Sequence, residues 1–426
     1  MNWRWYLFWV KDIITGGNIL KAYKDIKKSY YEGNLDKEQD IERLLKHAVE
    51  TTEYYKNYNF KSLENFPIVN KRIIIENFDK IKSSVYEKKK LHTMSTSGST
   101  GTPFTVIQDK RKRNRVIAEV LFFGKISGYT FGERQMFLRV WVKSIKKSKL
   151  KTFLQNMITE DISTLNNDKM EKIEKILDED KKIKNILAYA STLERLSKYL
   201  IRKKVHERKY NIKSIISGSE LLQESVRKNL KKVFKCNVVS RYANEENGIL
   251  GQDCIENNNE FHLNVGNYYF EFFRIDEDVP AREGEIARIV VTDLWNYALP
   301  MIRYDTGDLA IVGKSKCSLK STVIRDIFGR KVDLIYDENE EPVSPHLITN
   351  NMWNVKGIKQ FKFTQLDTNK YKILLNLEDK KCDEEKIKNK FKNLLGKNSN
   401  FIIEYTNEIP VLNSGKRKYI ENLYKK

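Results

Sequence analysis

The sequence predicts an α/β protein whose large N-terminal domain has mixed and parallel sheets flanked by helices, followed by a small α+β C-terminal lid domain. Three observations predict this architecture. Strand-like and helix-like segments alternate from residue 135 to 240, a β-rich stretch follows Asp253, and a compact strand–helix pattern closes the chain. We place the domain boundary so that residues 1–330, with a helical segment over 1–90, form the first domain and residues 331–426 form a mobile second one.

The alternation in the middle of the chain is typical of parallel β-α-β units. Because the carboxyl ends of parallel strands meet at one edge of the sheet, the loops after 216 and 240 should lie on the same rim, where ligands bind. The spacing predicts strands over 135–142, 185–190, 212–216 and 236–240, and helices over 36–57, 109–127, 169–177, 191–203 and 222–233. Further strands are predicted over 268–275, 285–293, 360–365, 371–377 and 401–405, with a helix over 383–395.

The composition is that of a globular protein with a basic surface. The chain has 426 residues, 78 basic against 57 acidic side chains, and a formal net charge of +21. Its lysines are spread through nearly every predicted helix, which indicates a solvated surface more than a dedicated polyanion site. A nucleic-acid-binding protein is the alternative, since 22 tyrosines and 20 phenylalanines interleave with lysine, but no recognisable module organises them. Four unpaired cysteines indicate a reducing, cytoplasmic setting.

The N-terminus is unusually aromatic, with three tryptophans in its first nine residues. No stretch approaches the ~20 apolar residues that span a bilayer. On a helix, the apolar residues of 1–14 would form one stripe along one face, and Trp5, Phe8 and Trp9 would widen it. We expect either peripheral contact with the inner face of a membrane, or packing on the protein's own domain or on a second subunit. The stripe consists of Trp3, Tyr6, Leu7, Val10, Ile13 and Ile14.

A loop rich in serine, threonine and glycine occupies residues 95–103. Gly98 and Gly101 permit a tight turn, and hydroxyl and backbone N–H groups can surround a polyphosphate without adding charge. The spacing is not that of a Walker A loop, and an ordinary surface turn is the alternative. The candidate phosphate-binding residues are Ser97, Gly98, Ser99, Thr100 and Gly101, and we count Thr96, at the start of the loop, among the candidate catalytic residues.

Three further motifs follow in order: Arg-Tyr-Ala-Asn-Glu-Glu-Asn-Gly at 241–248, Ile-Arg-Tyr-Asp-Thr-Gly-Asp-Leu at 302–309 and Asn-Ser-Gly-Lys-Arg at 413–417. Together with the first loop they resemble the signature series of the adenylate-forming superfamily. The Thr-Pro-Phe after the loop and the Phe-Pro-Ile-Val-Asn-Lys at 66–71 resemble phenylacetate-CoA ligases and related capsular polysaccharide biosynthesis proteins. The likeness runs from about residue 40 to the end.

The resemblance implies an AMP-forming ligase that uses ATP and Mg²⁺ to convert a carboxylic acid into an acyl-adenylate. The acyl group would then pass to coenzyme A or to a sugar amine or hydroxyl in surface polysaccharide assembly. Lys416 would supply positive charge where negative charge develops, and Glu246 would hold Mg²⁺. Around the nucleotide the resemblance places Tyr242 on adenine, Ser217, Gly218, Ser219 and Glu220 beside the base, and Asp308 and Arg330 at the ribose.

The acid-binding pocket is implied by analogy alone. It would lie between Trp141, the segment Tyr189, Ala190 and Ser191, and the Ser217–Gly218 turn, but the acid itself is not identified. Two positions depart from the family pattern: Ala243 replaces a common glycine, and Val332 stands where the hinge residue is expected.

Some phenylacetate-CoA ligase relatives carry a structural zinc. Their ligands would fall on Cys254, His262 and Cys317 here, while Ser315 replaces the remaining cysteine. An incomplete tetrahedral set leaves two readings open, a retained Zn²⁺ or metal-free thiols.

Overall fold

The computed structural model describes residues 2–33, 37–96, 104–141, 148–164, 166–205, 209–257, 260–319, 321–330, 333–343, 345–353, 355, 357–378, 382–410 and 418–424. The predicted fold class is confirmed within these ranges: a large sheet flanked by helices precedes a small α+β domain.

The N-terminal part of the chain is helical, as predicted. Its first helix begins after Asn2, whose side chain accepts a hydrogen bond from the Trp5 N–H over 3.3 Å and caps the first turn. The described helices are α1 (Trp3–Ile14), α2 (Asn18–Glu32), α3 (Glu38–Thr51), α4 (Lys71–Glu76) and α5 (Phe78–Ile81), with 3₁₀ turns at Leu63–Asn65 and Ser84–Tyr86.

A short hairpin then brackets the Ser/Thr/Gly loop. Strands β1 (His92–Thr96) and β2 (Phe104–Gln108) pair antiparallel, with Thr96 opposite Phe104, so residues 97–103 connect their ends. The backbone therefore delivers the loop at the end of a strand, as the sequence predicts.

The main sheet has eleven strands among the described residues, in the order β10-β11-β12-β13-β9-β8-β7-β6-β5-β3-β4. The strands β4-β3-β5-β6-β7 run parallel, and every pairing from β7 onward is antiparallel. The bounds are β3 (Arg134–Arg139), β4 (Met157–Asp161), β5 (Ile183–Tyr189), β6 (Ser214–Gly218), β7 (Asn237–Asn244), β8 (Gly248–Asp253), β9 (Glu260–Leu263), β10 (Tyr268–Phe273), β11 (Ile286–Asp293), β12 (Tyr304–Lys314) and β13 (Thr322–Arg330).

Helices connect and cover these strands. The predicted helices over 109–127, 169–177, 191–203 and 222–233 are found with ends shifted by one to two residues. A core of Met136, Ile186, Leu193, Ile215 and Leu230 is buried among the parallel strands and their connecting helices. The helices are α6 (Lys110–Ser127), α7 (Lys149–Leu154), α8 (Asn167–Glu179), α9 (Ala190–Arg202) and α10 (Glu224–Phe234).

The C-terminal domain is built on a four-stranded sheet of order β18-β17-β16-β19. The predicted strands and the helix over 383–395 are present, and a buried core that includes Phe363, Ile373 and Phe391 joins them. Its elements are β14 (Ile335–Tyr336), β15 (Pro342–Val343), α11 (Pro345–Trp353), β16 (Ile358–Asp367), β17 (Lys370–Leu377), α12 (Glu384–Leu395), β18 (Asn400–Tyr405) and β19 (Ile420–Asn422).

Among the helices that the structure describes, none has both the length and the apolar character needed to cross a bilayer. The basic start of α6 differs from a solvated helix face, because Lys112 and Arg115 are buried. Lys112 pairs with the equally buried Asp293 over 2.7 Å, and Arg115 bonds to Asp25. These cations hold α6 against its neighbours, since a buried charge requires a partner.

Candidate active site

The predicted ligand rim exists at the carboxyl edge of the parallel strands. Tyr189 ends β5, Gly218 ends β6, and the two are register partners. The turn after β6 is fixed by Glu220, whose carboxylate accepts the Ser191 N–H in the first turn of α9 over 2.8 Å. Ser219 adopts a left-handed conformation with φ of 69°. The rim thus brings together the predicted base-binding turn, residues 217–220, and the predicted acyl segment, residues 189–191.

Glu246 lies in the tight turn between β7 and β8. Asn244 closes this turn by accepting the Asn247 N–H over 2.8 Å, and Gln108 at the end of β2 donates to the Glu246 carbonyl over 3.3 Å. Gly248 has φ of +126°, and a Cβ added there would lie 2.1 Å from Glu119 Oε1, so only glycine fits. Strand β7 extends to Asn244, four residues beyond the predicted end, which places Tyr242 inside the strand.

Two tyrosines connect the predicted site carboxylates. The Tyr304 hydroxyl donates to Glu246 Oε1 over 2.8 Å, and the Tyr242 hydroxyl donates to Asp308 Oδ2 over 2.9 Å. Burial and then the adjacent carboxylate raise the pKa of Tyr304 and of Tyr242 well above the usual value, so both phenols remain hydrogen-bond donors. Asp308 lies within β12 and not in a free turn. Each motif therefore supplies a tyrosine that donates a hydrogen bond to the carboxylate of the other motif.

Sequence reasoning assigned Tyr304 no role, although it lies in the quoted motif 302–309. The feature that could have indicated a role for Tyr304 is its position directly before Asp305-Thr306-Gly307-Asp308.

A buried carboxyl group supports the Glu246 turn from below. Glu119 on α6 accepts the Ile249 N–H through Oε1 over 2.8 Å, and Asn264 and Asn267 donate to Oε2 over 3.0 and 2.6 Å. The Tyr268 hydroxyl bonds the Asn247 carbonyl over 2.7 Å. Burial raises the pKa of Glu119 to about 7, against the lowering effect of Lys112. This network fixes the backbone that carries Glu246, and no sequence motif indicated it.

The predicted acyl-pocket residues follow β3 and β5. The Trp141 N–H donates to Asp161 Oδ1 over 2.9 Å, which fixes the chain just beyond β3. Burial raises the pKa of Tyr189, while the positive charge of nearby Arg139 lowers it. Arg139 was not among the predicted residues. It ends β3, and its guanidinium lies 5.5 Å from the Trp141 ring centroid.

Part of the predicted site lies outside the described residues. This holds for Ser97, Gly98, Ser99, Thr100, Gly101 and Lys416, and for the side chains of Thr96 and Arg330. The backbone of Arg330 is described, and it pairs with Asp308 between β13 and β12. The two residues predicted at the ribose are therefore direct neighbours across the sheet.

The predicted zinc ligands meet in space. One ligand atom each from Cys254, His262 and Cys317 lies within 4.8 Å of the others, and Cys317 Sγ is 3.3 Å from His262 Nε2. Ser315 Oγ lies 3.0 Å from Cys317 Sγ, at the position of the missing cysteine. Burial lowers the pKa of His262 and raises the pKa of Cys254 to about 11. A neutral imidazole and two thiols suit Zn²⁺ once the thiols lose their protons to the metal.

Comparisons with known proteins match this architecture. The family model of the CapK C-terminal domain covers residues 335–423. The chain is 26% identical to protein CapK of Staphylococcus aureus over 385 residues, 86% of this chain and 82% of that one. It is also 26% identical to phenylacetate-coenzyme A ligase of Thermus thermophilus over 154 residues, 35% of this chain and 34% of that one.

Solved structures share the fold at low sequence identity. 2-Hydroxyisobutyryl-CoA ligase in the postadenylation state, in complex with R3-HIB-AMP, superposes with a TM-score of 0.72 at 14% identity, covering 94% of this chain and 92% of that one. ATP-bound MatB from Rhodopseudomonas palustris gives a TM-score of 0.57 at 13% identity, covering 76% and 65%.

The fold is therefore the one found in adenylate-forming ligases such as these. Its C-terminal residues 335–423 match the CapK C-terminal domain, and the chain is similar to protein CapK over most of both chains.

Proposed function

We propose that the protein is an ATP-dependent carboxylate ligase that forms an acyl-adenylate and transfers the acyl group to an acceptor. In the first step the acid's carboxylate oxygen attacks the α-phosphorus of ATP and pyrophosphate leaves. In the second step the acceptor attacks the acyl carbonyl and AMP leaves. The observation that carries this proposal is the pair of hydrogen bonds from Tyr304 to Glu246 and from Tyr242 to Asp308.

Glu246 would hold Mg²⁺. Tyr304 occupies its Oε1, while Oε2 has no hydrogen-bond partner or ion pair among the described side chains, so one hard oxygen remains for a metal. Bound Mg²⁺ would neutralise phosphate charge. Thr96 and residues 97–101 would surround the phosphates through hydroxyl and N–H groups, and Lys416 would place a compact positive charge beside the reacting carboxylate.

The nucleotide would lie along β7 and β12. Tyr242 keeps its ring near Asp308, so adenine can stack beside the tyrosine while the Asp308 carboxylate accepts ribose hydroxyls. Arg330, which pairs with Asp308 across the sheet, would contact the same ribose. The turn 217–220 would border the base.

The test is ATP–pyrophosphate exchange across a panel of carboxylic acids, comparing wild type with Lys416→Ala. Exchange with one acid, abolished in the variant, supports the proposal. Lys397→Ala, which removes an exposed lysine of the same domain, is the matched control and should retain exchange. A protein that neither exchanges pyrophosphate nor binds ATP would contradict the enzyme assignment.

We propose a sugar amine or hydroxyl of surface polysaccharide as the acceptor, with coenzyme A as the alternative. The match to protein CapK over most of both chains supports the first choice, and the shorter match to phenylacetate-coenzyme A ligase supports the second. The enzyme loaded with its acyl-adenylate should be offered amino sugars and coenzyme A in parallel. Mass spectrometry then distinguishes an acylated sugar from a thioester.

We propose that residues 331–426 act as a lid that moves between the two steps. One contact across the boundary is the Tyr419 hydroxyl, which donates to Glu194 Oε2 on α9 over 3.1 Å. Trypsin should cleave near residues 330–335, and a bound acyl-adenylate analogue should change the cleavage rate. A rate that no ligand alters would argue against lid movement.

We propose that Cys254, His262 and Cys317 bind Zn²⁺ with three protein ligands, leaving the position beside Ser315 to a water or to the hydroxyl. The cluster geometry supports this proposal. Protein purified without chelator should contain about one zinc per chain, and Cys317→Ala should lose it. Cys236→Ala, outside the cluster, should keep it. Absence of zinc in the wild type would leave metal-free thiols.

We propose peripheral membrane contact through α1. Its stripe residues Trp3, Tyr6, Leu7, Val10, Ile13 and Ile14 are 47–79% exposed, whereas Phe8 and Trp9 pack inward on Phe131 and Tyr23. Arg4 lies 5.3 Å from the Phe153 ring, so exposed Leu150, Phe153 and Leu154 of α7 extend the same surface. Flotation with anionic liposomes should carry the wild type but not Leu7→Glu/Ile14→Glu. Val279→Glu, elsewhere on the surface, is the control.

A further inference from the structure

Four residues form a row across the carboxyl edge of the parallel strands. The register pairs Leu138 with Ala188, so Arg139 on β3 lies opposite Tyr189 on β5. Tyr189 pairs with Gly218 on β6, and the Ser217–Ser240 pair places Gly218 beside Arg241 on β7. Because register neighbours point to the same face of a sheet, the side chains of Arg139, Tyr189 and Arg241 share one face.

The row has a gap at its centre. Gly218 contributes no side chain, and a Cβ built there would meet no heavy atom of the described residues within 4 Å. On one side of this open space the Arg139 guanidinium lies close enough to Tyr189 for its charge to lower the pKa of that phenol. On the other side stands Arg241, held by two hydrogen bonds to Gln252 Oε1 over 3.1 and 3.3 Å. In the register, the gap therefore lies between Tyr189, with Arg139 beyond it, and Arg241.

Neither arginine has a carboxylate partner among the residues that the structure describes. Arg227, Arg288 and Arg303 differ, since each forms an ion pair, with Asp253, Asp305 and Glu271 respectively.

Two further observations show that these cations are incompletely compensated. Burial lowers the pKa of Arg241 to about 10, and the buried Arg139 Nε has no hydrogen-bond partner among the described residues. Among the carboxylates of the described residues, Glu119 acts on Arg241 through its charge, and Glu220 and Glu245 raise the pKa of Tyr189. Desolvated guanidinium groups that lack a protein anion favour an anionic ligand.

We propose that the gap above Gly218 binds a second carboxylate of the acid substrate, so that the enzyme activates a dicarboxylic acid. This inference rests on the proposed adenylation, because it names the class of acid used at that site. Arg241 and Tyr242 are consecutive in β7 and therefore point to opposite faces, and Tyr242 bonds Asp308 on the nucleotide side. A substrate that crosses this edge places one carboxylate at the nucleotide and the other between the arginines.

The experiment measures direct binding to the full-length protein at fixed ionic strength. The probes are malonate, succinate, glutarate and adipate, each compared with the monocarboxylate of the same carbon number. We expect calorimetry to show binding of at least one dicarboxylate that is roughly tenfold to a hundredfold tighter than its monocarboxylate partner, as loss of a charge-assisted bidentate contact requires. Arg241→Gln and Arg139→Gln should each remove that preference.

Two controls keep the inference falsifiable. Arg282→Gln removes an exposed positive charge on the β10–β11 connection and should leave the preference unchanged. Arg241→Lys keeps the positive charge but loses the planar guanidinium group that can bind a carboxylate through two N–H groups. This variant should bind dicarboxylates at intermediate strength. Equal binding of paired mono- and dicarboxylates, or a preference that survives both glutamine variants, overturns the inference. Competitive displacement of the dicarboxylate by pyrophosphate also overturns it, because a phosphate would then occupy the gap.

Pyrophosphate exchange separates this inference from the proposed function. Exchange with a monocarboxylic acid only, at rates unaffected by Arg241→Gln, would retain the ligase and reject the second carboxylate. Arginine-dependent binding of a dicarboxylate without any exchange would retain the binding site and reject adenylation.

Discussion

The hydroxyl of Tyr304 donates to Glu246 Oε1 over 2.8 Å and so joins two motifs that lie 58 residues apart in the chain. This bond fixes the direction of the Glu246 carboxylate. It leaves the second carboxylate oxygen available to a ligand. The Tyr242–Asp308 bond makes the reverse connection between the same two segments. The candidate nucleotide site is thus held together by tyrosines, each reaching the carboxylate of the other motif.

Tyr304→Phe should weaken the response to Mg²⁺ with little loss of folding stability. The phenylalanine keeps the ring that stacks near Phe104, while Glu246 loses a hydrogen bond that contributes about 1.5–3 kcal/mol when the acceptor is charged. We expect pyrophosphate exchange to fall roughly tenfold or more at limiting Mg²⁺. Titration of Mg²⁺ in the exchange assay measures this, and an unchanged midpoint would show that the bond does not position Glu246.

Gly248→Ala should destabilise the protein strongly. The residue has φ of +126°, and the new Cβ would lie 2.1 Å from Glu119 Oε1, so the β7–β8 turn must move. We expect a loss of about 3 kcal/mol or more of unfolding free energy in urea. Gly307→Ala is the matched control, since Gly307 also has positive φ, +76°, but open space around it, and its loss should be about 1 kcal/mol.

Glu119 should make stability depend on pH. Burial raises the pKa of Glu119 from 4.5 to about 7, so between these values the folded protein binds more protons than the unfolded chain. Its contribution is fully present below pH 4.5, declines as pH rises, and is lost above pH 7, a change of up to about 3 kcal/mol.

Urea unfolding of wild type and Glu119→Gln at several pH values tests this dependence. The variant should be less stable at every pH. Both oxygens of Glu119 accept hydrogen bonds, so the glutamine N–H₂ would replace one acceptor and lie against another donor, either Ile249 N–H or the asparagine amides. Its stability should also vary less with pH between 4.5 and 7. An identical slope in both proteins would assign the titration to another group.

Lys112→Met should cost about 3–5 kcal/mol of unfolding free energy. Both Lys112 and Asp293 are fully buried, so removal of the lysine leaves an unpaired carboxylate in the interior. The double variant Lys112→Met/Asp293→Leu should recover part of the loss. Lys110→Met, at the exposed start of the same helix, should change stability by less than about 0.5 kcal/mol.

The order of elements and the location of the rim were predictable from the sequence. Local periodicity determines where strands and helices form, so β5, β6, α9 and α10 appear within two residues of their predicted ends. The Ser/Thr/Gly loop and the motifs at 241–248 and 302–309 predicted the candidate nucleotide site. Their hydrogen bonds, through Tyr304 and Tyr242, were not predictable, because either tyrosine could equally have packed as an ordinary core residue.

Charge was the least predictable property. The basic residues in the run Lys110–Arg115 look alike in the sequence but have different environments. Lys110 is exposed, Lys112 pairs with Asp293, and Arg115 bonds to Asp25. Arg139 and Arg241 are unremarkable in the sequence and become neighbours of the same gap only through the register of four strands.

The sequence by itself therefore determined the fold class, the resemblance to adenylate-forming ligases and the segments that contain the candidate site. These properties follow from local pattern and motif chemistry, which do not depend on distant contacts. The tertiary structure decided which side chains meet: the tyrosine–carboxylate pairs, the buried Glu119 network and the two arginines above Gly218. Burial and pairing arise from strand register and helix packing between residues far apart in the chain, and these interactions set the charge and hydrogen bonding of each group.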